Sequence, residues 1–169
     1  MDYRKKIIDS VNRFYFDCVE EFREAEGKIA NDSRFRKIFT KKDYGGNIEL
    51  LRRCRKRTQS VKLPTGDIPR SDDESKEIVH QCNECIRLFN RLCDAYVQMQ
   101  IALQKKAEGS DLSYKEYMEV YRRTQEAHAA VNASIRELDI LYADYTEDES
   151  GGDGYLTYAM LTDEDGEES

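Results

Sequence analysis

The sequence contains no tryptophan, only two prolines and two histidines, and no run approaching eighteen consecutive apolar residues. The last absence excludes, from the sequence, a helix that crosses a bilayer. The opening MDYRKKIIDS lacks the apolar stretch of a secretory signal, so the chain is expected to be cytoplasmic, with no membrane partner. Pro64 and Pro69 both fall between Thr58 and Arg70, which leaves the rest of the chain free of the strongest helix breaker. No Gly-rich phosphate loop, Ser/His/Asp constellation or zinc-protease motif is present. The cysteines number five; an odd count without a secretory signal argues for reduced thiols that pack as small apolar groups.

What the chain does have is charge and periodicity. Its 169 residues, 39% hydrophobic and 36% charged, suit one domain of long helices with solvated outer faces. The net charge of -7 divides unevenly: residues 137–169 carry twelve Asp/Glu and no Lys/Arg, whereas 1–136 hold all 27 basic residues against 22 acidic ones. A mildly basic body therefore carries an acidic tail.

The first helix is read from a seam at four-three spacing, Ile7, Val11, Phe14, Cys18, Phe22, Ala25 and Ile29, with Gly27 weakening it and Asn31-Asp32-Ser33 ending it. Phe35, Ile38 and Phe39 suggest a short helix capped near Asp32 or Ser33. After the turn Tyr44-Gly45-Gly46, a basic helix is expected from Asn47 to about Arg57, with Leu50, Leu51 and Cys54 inward. The strongest seam is Ile78, Cys82, Cys85, Phe89, Leu92, Tyr96, Met99 and Leu103, opened by Ser71 with Glu74 and stopped at Gly109. A last helix opens with Ser113 and Glu116 and follows Tyr117, Tyr121, Thr124, His128, Val131, Ile135, Leu138, Tyr142 and Tyr145. So short a connection predicts that these two pair antiparallel, leaving a groove for the first helix.

The fold class expected is all-α: an elongated antiparallel three- to four-helix bundle with coiled-coil-like seams and an acidic C-terminal tail. Residues 1–146 form the bundle, with the linker and short basic helix at about 40–71, and 147–169 form the tail, with an apolar island at 155–161.

His80-x-Cys82-x-x-Cys85, with Cys93 beyond, offers ligand types that zinc prefers. However, both cysteines stand on the core seam, so no metal and no cofactor are expected. The sequence Arg122-Arg123-Thr124-x-x-x-His128 resembles the Arg-x4-6-His signature of HEPN ribonucleases, which are helical bundles. That resemblance implies acid/base cleavage of RNA by Arg123 and His128, commonly across a dimer interface. Thr124 stands where the family often has Asn, Asp or His. Tyr145-x-x-x-Glu149 after a helical hairpin is similar to the Tyr-x-x-x-Asp/Glu export signal of type VII secretion substrates, and implies a secreted hairpin or its partner; the family's Trp-x-Gly turn is missing.

Two segments are left for recognition. Arg52, Arg53, Arg55, Lys56 and Arg57 are the densest positive charge and suit an acidic partner, nucleic acid, an anionic membrane surface, or the acidic tail itself. Tyr155, Leu156, Tyr158, Met160 and Leu161 form an apolar island between acidic runs, suited to docking on a partner. The function expected is a non-enzymatic protein–protein interaction or adaptor module, of bacterial, phage or mobile-element type. Nucleic acid is a less favoured partner. A homodimer is a further expectation, with Val79, Ile86 and Leu141 taken as outward apolar positions beside the seams.

Overall fold

A computed structural model describes residues 2–35 and 42–150, the side chains of 31–35 and 148–150 excepted. The regular elements among these residues are all helical: α1 (Tyr3–Arg13), a π-helical turn (Phe14–Val19), α2 (Glu20–Phe35), α3 (Tyr44–Arg57), a 3-10 turn (Thr58–Ser60), α4 (Asp73–Ala107) and α5 (Tyr114–Ser150). The all-α expectation holds for the described residues. No helix among them is long and apolar enough to cross a membrane.

Helix starts follow from side chains able to accept from free backbone N–H groups. Asp2 accepts from the Arg4 amide at α1. At α5, Ser113 and Glu116 cap each other: Glu116 Oε2 accepts from the Ser113 amide (2.8 Å) and Ser113 Oγ from the Glu116 amide (3.2 Å). At α4 the expected cap at Ser71 is displaced to Asp72. One Asp72 carboxylate accepts from the Ser75 amide (3.0 Å), the Ser75 hydroxyl (2.8 Å) and the Tyr3 phenol (2.7 Å), more partners than a serine hydroxyl can serve.

Two boundaries differ from the sequence reading. α3 begins at Tyr44, so Gly45 and Gly46 belong to its first turn rather than to a turn before it. Asp43 Oδ1 accepts from the Gly46 amide at 2.9 Å, and a Cβ at Gly46 would lie 2.2 Å from Asp43 Oδ2, so a side chain there would make the capping carboxylate shift. The first rod runs through Asn31-Asp32-Ser33 to Phe35 instead of ending there, because each such residue costs a helix only about 0.7 kcal/mol relative to alanine. The further helix expected around Ile38 and Phe39 lies outside the described residues.

The seam of that rod contains two consecutive steps of four, Phe14 to Cys18 to Phe22, and the π-helical turn lies there. Its wider winding buries Phe14, Tyr15, Cys18 and Val19 together and accommodates the additional residue without ending the helix. α4 ends as expected at Gly109, whose φ is 92°. Ser110 N donates to Lys105 O (2.9 Å) and Gly109 N to Lys106 O (3.2 Å), the double closure that favours glycine at this position.

α4 and α5 pack antiparallel. Tyr145 meets Ser75 (2.8 Å), Ser134 meets Gln81 (3.0 Å) and Cys85 (3.1 Å), and Thr124 donates to Ala95 O (3.4 Å). The α1–π–α2 rod lies along both, parallel to α4: Tyr3 bonds Asp72, Phe14 and Phe22 each set an edge against the Phe89 ring, and Tyr142 donates to Asn12 (2.8 Å). Such edge contacts add to the apolar burial. α3 crosses back along α4 through Asn47–Gln100 (3.1 Å) and Thr58–Asn90 (3.1 Å). Residues 61–72 then form a strap on the rod, where Ser10 donates to Lys62 O (2.9 Å) and Val61, Leu63 and Ile68 pack on the core.

This arrangement corrects the outward positions named above. Val79 is buried, Ile86 packs partly buried on the core and Leu141 is half-buried. α4 has neighbours on several sides, so its buried face is wider than one seam.

Candidate functional site

α3 is amphipathic. Ile48, Leu51 and Cys54 recur at helical spacing and are buried with Asn47, which places Arg52, Arg53, Arg55, Lys56 and Arg57 on the solvated side, all exposed. Leu50, expected inward, is half-buried.

The cations divide by direction. Arg53 (3.4 Å) and Arg57 (2.7 Å) share Glu21 on α2, and Arg55 reaches Asp94 on α4 (2.8 Å). These pairs hold both flanks of α3, each contributing little because the groups are solvated. Arg52 pairs only within its helix, with Glu49 (3.7 Å), and Lys56 has no ion-pair partner among the described residues. Arg52 and Lys56, one helical turn apart, are therefore the two α3 cations tied to no other helix among the described residues. At the start of α3, a cleft of about 440 Å³ is lined by Lys28, Asp43, Asn47 and Arg53; its lining carries both signs of charge. The tail residues Tyr155, Leu156, Tyr158, Met160 and Leu161 lie outside the described residues.

The structure does not bring Arg123 and His128 together within one chain. Five residues along a helix rotate them to different sides, about 140° apart. Arg123 is exposed and paired with Glu119 (3.0 Å), and Arg122 also pairs with Glu119 (2.9 Å). His128 turns inward to Glu26 of α2, Nε2 lying 3.1 Å from Oε2. Its Nδ1 lies 3.1 Å from Asn132 Nδ2, and Tyr96 donates to the same Glu26 carboxylate at 2.7 Å. Glu26 raises the pKa of His128, outweighing partial burial. Partial burial disfavours the Glu26 carboxylate, but the bonds from His128 and Tyr96 outweigh it and its pKa falls. This is an interhelical clasp joining α2, α4 and α5.

The cysteines are interior. Cys18, Cys54, Cys82, Cys85 and Cys93 are all buried and free. Burial pushes Cys18 up to about 12 and Cys54 and Cys85 to about 11, and raises Cys82 and Cys93 further. His80 is exposed while Cys82 and Cys85 point into the core, because a helix turns them to different faces. Among the described residues no group of three or more His, Cys, Asp or Glu is arranged to hold a metal. Tyr145 is fully buried, its hydroxyl bonded to Ser75 and its ring beneath the Arg4 guanidinium at 4.3 Å; it is a core residue of the hairpin rather than a displayed one.

Two polar features were not found from the sequence. Glu26 had no signal beyond standing next to Ala25 of the seam. Asp139, next to Leu138, is buried against Tyr15, whose phenol is pushed far up by burial first and by this carboxylate second. A buried acid is signalled in sequence only by position, and one helical residue off the seam reads as solvent-facing.

No protein-family model matches this chain, and comparison with curated proteins and with solved structures yields no match.

Proposed function

We propose that this chain is a non-enzymatic helical interaction module that presents the α3 ridge to an acidic protein partner, with the C-terminal tail as a second point of contact. The observation that carries the reading is the ridge itself: five exposed cations on a helix whose other face is set in the core, with Arg52 and Lys56 tied to no other helix among the described residues. A rigid support lowers the entropy lost when such side chains are engaged. The structural employment of His128, Tyr145 and the cysteines in clasp and core supports the same reading, since each former candidate for chemistry has a packing role. Interior reduced thiols suit a reducing compartment, which supports a cytoplasmic placement. Self-association stands as a variant, read by light scattering.

The test is capture from source-cell lysate with the intact chain, with Arg52→Glu/Lys56→Glu, and with a form ending at Ser150, where α5 ends. A protein captured by the intact chain and lost with the charge-reversed ridge is the expected result. A partner retained by that variant but lost on truncation moves recognition to the tail. RNA cleavage by the purified protein that disappears in His128→Ala would overturn the non-enzymatic reading in favour of the ribonuclease one.

A further inference from the structure

We propose that the acidic run Asp163-Glu164-Asp165-Gly166-Glu167-Glu168 docks on the α3 ridge of its own chain. Three observations point there. The first is charge. Residues 151–169 carry six Asp/Glu and no Lys/Arg. The five α3 cations Arg52, Arg53, Arg55, Lys56 and Arg57 meet, among the described residues, Glu21, Glu49 and Asp94 as paired carboxylates, an excess of two positive charges.

The second is the exit point. α5 delivers the tail at the end of the molecule where Tyr3 meets Asp72, Lys6 meets Asp67 and Tyr145 meets Ser75. The segments gathered there, 2–9, 67–77 and 143–147, hold nine Asp/Glu against five Lys/Arg. Like charge disfavours settling of the acidic run beside its own exit, within the Debye length of about 8 Å at physiological salt.

The third is reach. Tyr145 lies level with Ser75, and Arg55 level with Asp94. At 1.5 Å per helical residue, Ser150 is therefore about 36 Å along the molecule from the ridge, or roughly 40 Å allowing for the width of the helices between. An extended chain at about 3.3 Å per residue carries Asp163 to about 43 Å and Glu168 to about 59 Å from Ser150, while the island 155–161 extends only from about 17 to about 36 Å. The acidic run spans the distance and the apolar island does not. The span exceeds the tail's r.m.s. length of roughly 20–25 Å, so tethering supplies an effective concentration below the millimolar of a matched linker, and several ridge cations act together in a contact that salt weakens. The contact is intramolecular and is independent of whether the ridge also serves a partner.

The experiment uses the full chain with Ser169→Cys carrying a nitroxide, a label directed by the burial of all five native thiols, and reads paramagnetic broadening of amide signals. At about 20 mM salt the amides of 52–57 broaden beyond those of 2–9 and of 114–121, and the effect is lost at about 0.5 M salt. It is also lost in Arg52→Glu/Lys56→Glu and in Asp163→Asn/Glu164→Gln/Asp165→Asn, the second of which leaves every described residue intact. Ridge amides that stay sharp at low salt overturn the proposal. So does broadening that is strongest at 2–9, that survives both sets of substitutions, or that arises only between labelled and unlabelled molecules in a mixture.

Discussion

The clasp between Glu26 and His128 joins α2 to α5 and titrates in an accessible range. Both side chains are about one-third exposed, 31% and 33%, so the strength of a buried charged bond is discounted for solvent, and a coupling of about 1 kcal/mol is expected. The sign follows from the two shifts. His128 has its pKa raised above 6.5, so its contribution is fully present below that ordinary value and is lost as pH rises through the raised one. Glu26 has its pKa lowered below 4.5, so its contribution is present above the ordinary value and is lost as pH falls through the lowered one. The coupling is therefore greatest between about pH 4.5 and 6.5 and declines on both sides. A double-mutant cycle of Glu26→Gln, His128→Gln and the pair, by urea unfolding at about pH 5.5 and about pH 8.5, measures it. About 1 kcal/mol at the lower pH, falling to a few tenths at the higher, is the expected result. A coupling unchanged between the two, or absent at the lower pH, would refute the reasoning.

Phe89 is fully buried, with Phe14 and Phe22 edge-on at 5.9 and 5.5 Å. Phe89→Ala opens a cavity where the first rod meets α4 and is expected to cost about 3–5 kcal/mol, lowering Tm by roughly 6–20 °C for a chain of this size; a loss under about 1 kcal/mol would contradict the packing. Because all five thiols are buried with raised pKa values, none should react with a thiol reagent in the native protein, and all five should react on unfolding. One thiol reacting rapidly in native buffer would show that the interior opens at that site.

Much of the helical content was legible because it is written locally. The seams Ile78 to Leu92 and Val131 to Tyr145 repeat at helical spacing and are buried, the Ser113/Glu116 pair forms as read, and Gly109 takes the positive φ that a stop requires. Helix ends governed by distant partners were not legible. Asp72 replaces Ser71 as a cap because Tyr3, sixty-nine residues away, also donates to it.

The sequence by itself determined that the chain is helical, where its apolar seams run, and that its body and its last thirty-three residues differ in charge, since periodicity and charge are properties of neighbours along the chain. Only the tertiary structure decided which polar groups face each other. It turned His128 to Glu26 and away from Arg123, set Asp139 against Tyr15, and tied Arg53, Arg55 and Arg57 to Glu21 and Asp94 while leaving Arg52 and Lys56 without a tie to another helix among the described residues. The reason is that a helix fixes each side chain's direction from its own axis, whereas what that direction meets depends on how the helices come together.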